Sequence, residues 1–140
     1  MTSPSSSERH ERVLGSFTMS FSHGLLIIRD GGSVSTHDHW DPSTSGIDVE
    51  RDSIYLAVLN AVDGVVEVKF SDGGGPDEAL SCIYQGILEV PSGRVVAHDP
   101  NGDITAVFYV RTGSNRLSVE VDEDGDASVV SVRFNPTVQQ

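Results

Sequence analysis

Two histidines separated by a single residue, His37 and His39, stand in the segment Thr36-His37-Asp38-His39-Trp40-Asp41. On an extended strand, positions i and i+2 project from the same face, so the pair could offer two imidazoles to one metal ion. A third imidazole, His98, follows the turn Pro91-Ser92-Gly93. Together His37, His39 and His98 form a candidate metal-ligand set, with Asp41 or Asp48 able to supply a carboxylate. The plainer alternative is that His37 and His39 are solvated loop residues and Trp40 anchors the loop on the core.

The spacing resembles the first motif of the cupins, with Gly31 six residues before His37 and then His-x-His. Pro91, Gly93, His98 and Asn101 loosely echo the second cupin motif. That resemblance implies a cupin-like β-barrel binding a metal or small ligand through three His and one Glu. The chain departs from it in two places. No carboxylate stands at Ser43 or Thr44, where the cupin Glu falls, and His98 lies two residues too far from Gly93.

Other chemistry finds less support. Asp122-Glu123-Asp124-Gly125-Asp126 suggests a Ca²⁺ loop, but EF-hand order needs the Gly after the third acid, and position 12 would be Arg133. It reads as a hairpin turn with solvated carboxylates. No Gly-x-Ser-x-Gly occurs, and no Ser–His pairing is recognisable, so no catalytic residue is expected. Cys82 lies in Leu80-Ser81-Cys82-Ile83-Tyr84 and reads as a small buried hydrophobe with a reduced thiol. No cofactor is implied by these patterns.

The chain has 140 residues, with 21 Asp+Glu against 9 Lys+Arg and a formal charge of −12. One Lys and scattered Arg cannot build the phosphate-binding face that nucleic acid requires. An acidic chain is repelled by anionic lipid, and no apolar run approaches the roughly 20 residues that span a bilayer. A basic protein is therefore the partner that the charge admits. The candidate contacts are the acid-rich turns: Asp72, Asp77 and Glu78; Asp99 and Asp103; Asp122, Glu123, Asp124 and Asp126.

The elements that must position these residues repeat with period two. Phe17, Met19 and Phe21 alternate with Ser and Thr, and Val66, Val68 and Phe70 alternate with Glu67, Lys69 and Ser71. Further extended runs cover Leu25–Ile28, Ile54–Asn60, Leu80–Val90, Arg94–His98, Ile104–Val110, Arg116–Val121 and Ala127–Phe134. Gly86 is the expected site of a bulge, and Asp63-Gly64 reads as a hairpin turn. Asp99-Pro100-Asn101-Gly102 is the clearest turn. The expected fold is an all-β antiparallel β-sandwich of eight or nine short strands over residues 14–135. A Ser-rich disordered tail at 1–13 and a flexible C-terminus at 136–140 flank it. The first ten residues lack the apolar stretch of a secretory signal, so the cytoplasm is the expected compartment.

Ile87-Leu88-Glu89-Val90-Pro91-Ser92-Gly93-Arg94-Val95-Val96 resembles the strand, Pro-Ser-Gly, Arg, strand signature of a family of small acidic β-sandwich proteins common in actinobacteria. Gly64-Val65-Val66-Glu67-Val68, the loop Gly73-Gly74-Gly75-Pro76 and the strand from Gly113 to Val121 follow the same order. That family usually has Gly-x-Tyr-Arg where this chain has Ser114-Asn115-Arg116-Leu117. More remotely, the group is similar to competence protein J, an acidic inhibitor of a DNA nuclease. The resemblance runs over residues 14 to 134 and carries no catalytic residues. It implies a non-enzymatic interaction module, an inhibitor or immunity-type protein for a basic partner such as a nuclease.

Overall fold

A computed structural model describes residues 11–102 and 105–136. The Ser-rich segment 1–10, Asp103, Ile104 and residues 137–140 lie outside the described residues. The strands are β1 (Arg12–Met19), β2 (Leu25–Asp30), β3 (Ile47–Glu50), β4 (Ser53–Ala57), β5 (Val66–Asp72), β6 (Ser81–Val90), β7 (Arg94–His98), β8 (Thr105–Tyr109), β9 (Gly113–Val121) and β10 (Val129–Phe134). They form two five-stranded sheets, β1-β5-β10-β9-β6 and β3-β4-β2-β7-β8. Each sheet keeps two free edges, so the molecule is a β-sandwich and not a closed cupin-like barrel. All pairings are antiparallel except that of β5 with β10.

Alternation builds the core as expected. Val66, Val68 and Phe70 of β5, Val130, Val132 and Phe134 of β10, and Leu117, Val119 and Val121 of β9 face inward. They meet Leu26 and Ile28 of β2, Ile54 and Leu56 of β4, and Val95 and Ala97 of β7. Phe70 and Phe108 touch across the two sheets, with ring centroids 4.3 Å apart. Gly15 makes that contact possible, because a Cβ there would lie 2.3 Å from the Phe108 ring.

Four local expectations change. Strand β3 forms over Ile47–Glu50, between the extended runs expected at Leu25–Ile28 and Ile54–Asn60, because Ile47 and Val49 find Leu56 and Ile54 as register partners on β4. Asp63-Gly64 does not close a hairpin: β4 belongs to one sheet and β5 to the other, so the turn carries the chain between layers. The bulge on β6 falls between Cys82 and Tyr84, whereas Gly86 leaves room for the Tyr84 ring, whose hydroxyl would be 2.1 Å from a Cβ. That bulge also turns Cys82 outward at a sheet edge, and its free thiol is exposed, not buried.

The registers also fix which loops share an end. Asp124 and Gly125 abut Gly46, and the Leu59 amide donates to the Ala127 carbonyl (2.8 Å). Residues 41–46, 58–64 and 122–128 therefore gather at one end of the sandwich. The turns at 30–33, 51–52, 91–94 and 109–113 gather at the other, joined by Gly31 to Arg94 (2.8 Å), Glu89 to Arg51 (2.9 Å) and Val110 to Gly93 (3.0 Å).

Candidate functional site

The segment between β2 and β3 crosses the outer face of the second sheet. Its start is held by Asp30, which is 3% exposed. One carboxylate oxygen accepts from the Gly32 amide (2.9 Å); the other accepts from the amide (3.0 Å) and hydroxyl (2.6 Å) of Ser92. Burial alone would raise the Asp30 pKa, but the Ser92 and Gly32 bonds and the charge of Arg94 outweigh it and hold it below the ordinary value. Ser33 and Ser35 then donate to one oxygen of Asp52 at 2.8 and 2.9 Å.

His37 sits at the centre of this crossing. It is 4% exposed, and its backbone adopts φ +56°, a left-handed conformation uncommon outside glycine. Its Nδ1 lies 2.7 Å from Asp48 Oδ2 and its Nε2 lies 2.8 Å from Ser53 Oγ. With Asp48 accepting, the neutral ring carries its proton on Nδ1, and the Ser53 hydroxyl donates to Nε2. The ring stacks on Tyr55 with centroids 3.9 Å apart, and Trp40 meets the same Tyr55 edge-on at 5.9 Å. Trp40 thus anchors the loop on the outer face of the sheet and not on the core. The order Asp48–His37–Ser53 has the hydrogen-bond pattern of an acyl-transfer triad, but Ser53 is completely buried and no substrate atom can reach its hydroxyl.

The three imidazoles do not gather. His37 to Trp40 forms a turn, with the Trp40 amide donating to His37 carbonyl (3.1 Å), so the same-face rule for a strand does not apply. His39 is exposed. His98 lies on β7, where its Nε2 accepts from Arg29 Nε (3.1 Å) and its Nδ1 donates to the Asp99 carbonyl. Among the described residues, the imidazole that has ligand-type neighbours is His37: one donor atom each from His37, Asp48 and Glu50 lie within 4.8 Å of one another. Glu50 had no sequence signal, because its role depends on β3 pairing with β4. Asp48 was legible only as a nearby carboxylate.

The acid-rich turns also separate. Glu123, Asp124 and Asp126 are exposed on the β9–β10 hairpin, beside Asp41 and Asp63 on the neighbouring loops. Asp122 closes that hairpin, accepting from the Ser128 hydroxyl and the Ser128 and Val129 amides. Burial works against its ionisation, yet these bonds hold its carboxyl below the usual range. Asp99 is 3% exposed and cannot meet a partner directly. Asp72 lies at the far end of β5, 3.4 Å from Arg12. Asp77 and Glu78 are exposed on the loop that covers the outer face of the first sheet. A hollow of about 550 Å³ lies beside that loop, lined by Cys82, Gln85, Ile87 and Arg116 among others. It is on the opposite sheet from His37.

No protein-family model and no curated protein matches this chain. Two solved structures share its fold. The product of crocagin biosynthetic gene J superposes with a TM-score of 0.57 at 16% identity, covering 91% of this chain and 99% of that one. ComJ of Bacillus subtilis, the inhibitor of the DNA-degrading activity of NucA, superposes with a TM-score of 0.69 at 10% identity over 91% of this chain and 98% of its own. The chain therefore has the fold of ComJ.

Proposed function

We propose that this protein is a non-enzymatic interaction module that binds a basic protein partner and inhibits it. The observation that carries the reading is the charge of one end of the sandwich. Asp41, Asp63, Glu123, Asp124 and Asp126 converge there on three adjoining loops, and residues 41–46, 58–64 and 122–128 contain no Lys or Arg. Such an end attracts a cationic surface by long-range steering and repels DNA from the same surface. The likeness to ComJ supports an inhibitor, with a nuclease as the partner class. Asp77 and Glu78, on another face, would add to the overall field and not to the contact. The encounter is taken to be cytoplasmic, where the exposed Cys82 thiol stays reduced.

The experiment is direct. The purified chain is mixed with NucA and, separately, with basic nucleases, and DNA degradation and complex formation are followed at low and high salt. The expected result is inhibition and a complex that weakens about tenfold or more across that range. A triple variant, Glu123→Lys, Asp124→Lys and Asp126→Lys, should abolish both. Absence of any complex at low salt, or binding indifferent to the triple variant, overturns the reading.

A further inference from the structure

We infer that His37, Asp48 and Glu50 form a binding site for a divalent transition-metal ion. Neither the charge of the acidic end nor the likeness to ComJ enters this inference. One donor atom from each residue lies within 4.8 Å of the other two, and ligands held tetrahedrally at about 2.1 Å from one ion stand about 3.4 Å apart, so the His37 Nδ1–Asp48 Oδ2 pair at 2.7 Å would open slightly to admit the ion. The set of one imidazole nitrogen and two carboxylates suits Zn²⁺ or Mn²⁺, whereas Ca²⁺ takes oxygen ligands alone.

The electrostatics of the site point to a cation. Asp48 and Glu50 are half-buried on the same face of β3, two residues apart. Asp48 has its hydrogen bond from His37, but the Glu50 carboxylate has no hydrogen bond or ion pair among the described residues. No Lys or Arg bonds either carboxylate among the described residues, so the two acidic side chains stand side by side without a Lys or Arg partner, an arrangement that a bound cation would relieve. Arg29, the nearest cation in register, is turned away: it donates to His98 and to the carbonyls of Asp30 and Gly31. The remaining surroundings are those of a supported ligand. His37 is fixed by its stack on Tyr55, and Ser53 stands 2.8 Å from Nε2. When the ion replaces the proton on Nδ1, the ring tautomer changes, Nε2–H donates to Ser53 Oγ, and one proton is released to solvent. The half-exposed carboxylates leave the outer coordination positions to water.

The test is titration of the full chain with ZnCl₂ or MnCl₂ by calorimetry, with CaCl₂ as the comparison ion. The expected result is one equivalent of Zn²⁺ or Mn²⁺ bound at micromolar or tighter affinity, a raised unfolding temperature, and no matching effect of Ca²⁺. Glu50→Gln keeps the Asp48–His37–Ser53 hydrogen bonds and should weaken binding at least tenfold while leaving the metal-free unfolding temperature unchanged or slightly raised, because it removes one of two adjacent like charges. His39→Ala and His98→Ala should bind as the parent does. No saturable binding, binding unchanged in Glu50→Gln, or binding lost in His39→Ala or His98→Ala overturns the proposal.

Discussion

At the residue scale, two buried polar side chains hold the long β2–β3 crossing in place. His37 contributes two hydrogen bonds and a ring stack, so His37→Ala leaves Ser53 completely buried and without its imidazole partner. The expected loss is about 2–3 kcal/mol of stability, read from urea unfolding midpoints at constant slope. Asp30 acts through charge. Its folded pKa is lowered from the ordinary value of 3.8, so its stabilisation is present above that value and is lost as the pH falls through the lower folded value. Asp122 is lowered in the same direction. Stability should therefore decline on acidification below about pH 4. Asp30→Asn should flatten that acid limb and cost about 2–3 kcal/mol at neutral pH. A pH series of thermal unfolding curves measures both; an unchanged acid limb in the variant would show that Asp30 does not contribute to it.

At the element scale, the outer face of the first sheet is closed by ions. Arg133 of β10 is 3% exposed and pairs with Glu120 of β9 at 3.3 Å and with Glu11 at 3.1 Å. Lys69 of β5 completes the chain to Glu11 at 3.0 Å. Burial pushes the Glu11 carboxyl up, but Lys69 and Arg133 outweigh it and keep it below its ordinary range. Arg133→Met leaves Glu120, 2% exposed, with the Asp77 amide as its remaining partner. Because an unpaired buried charge is far costlier than a missing pair, the expected destabilisation is about 3–5 kcal/mol. The double variant Arg133→Met with Glu120→Leu should recover most of it. A double-mutant cycle on unfolding free energies settles this, and an additive cycle would refute the coupling.

At the scale of the whole molecule, charge is polarised along the sandwich. The end bearing residues 41–46, 58–64 and 122–128 is acidic, whereas in the turns of the other end Arg51, Arg94 and Arg111 offset Asp30 and Asp52. A net charge of −12 thus acts as a directed field and not as a uniform coat. For any cationic partner, association rates should fall steeply with added salt while dissociation rates change little. Stopped-flow measurements across a salt series separate the two. A salt effect confined to dissociation would place the contacts elsewhere than this end.

The sequence by itself determined the class of fold and the inward residues, because a period of two can bury only one face of each strand. Val66, Val68 and Phe70, and the hairpin turns at Asp99–Gly102 and Asp124-Gly125, were legible for that reason. It also determined the excess of acid and its concentration in turns. Pairing was not legible: the same turn chemistry at Asp63-Gly64 serves a hairpin or a passage between sheets, and the choice rests on partners far away in the chain. The tertiary structure alone decided that His37 is buried with Asp48 and Ser53 and not grouped with His39 and His98. Glu50 enters the site through β3, a strand of four residues that exists because Ile47 and Val49 find Leu56 and Ile54 across the ladder. Local spacing governs which way a side chain points. Which side chains meet is governed by long-range register, and a site is made of the side chains that meet.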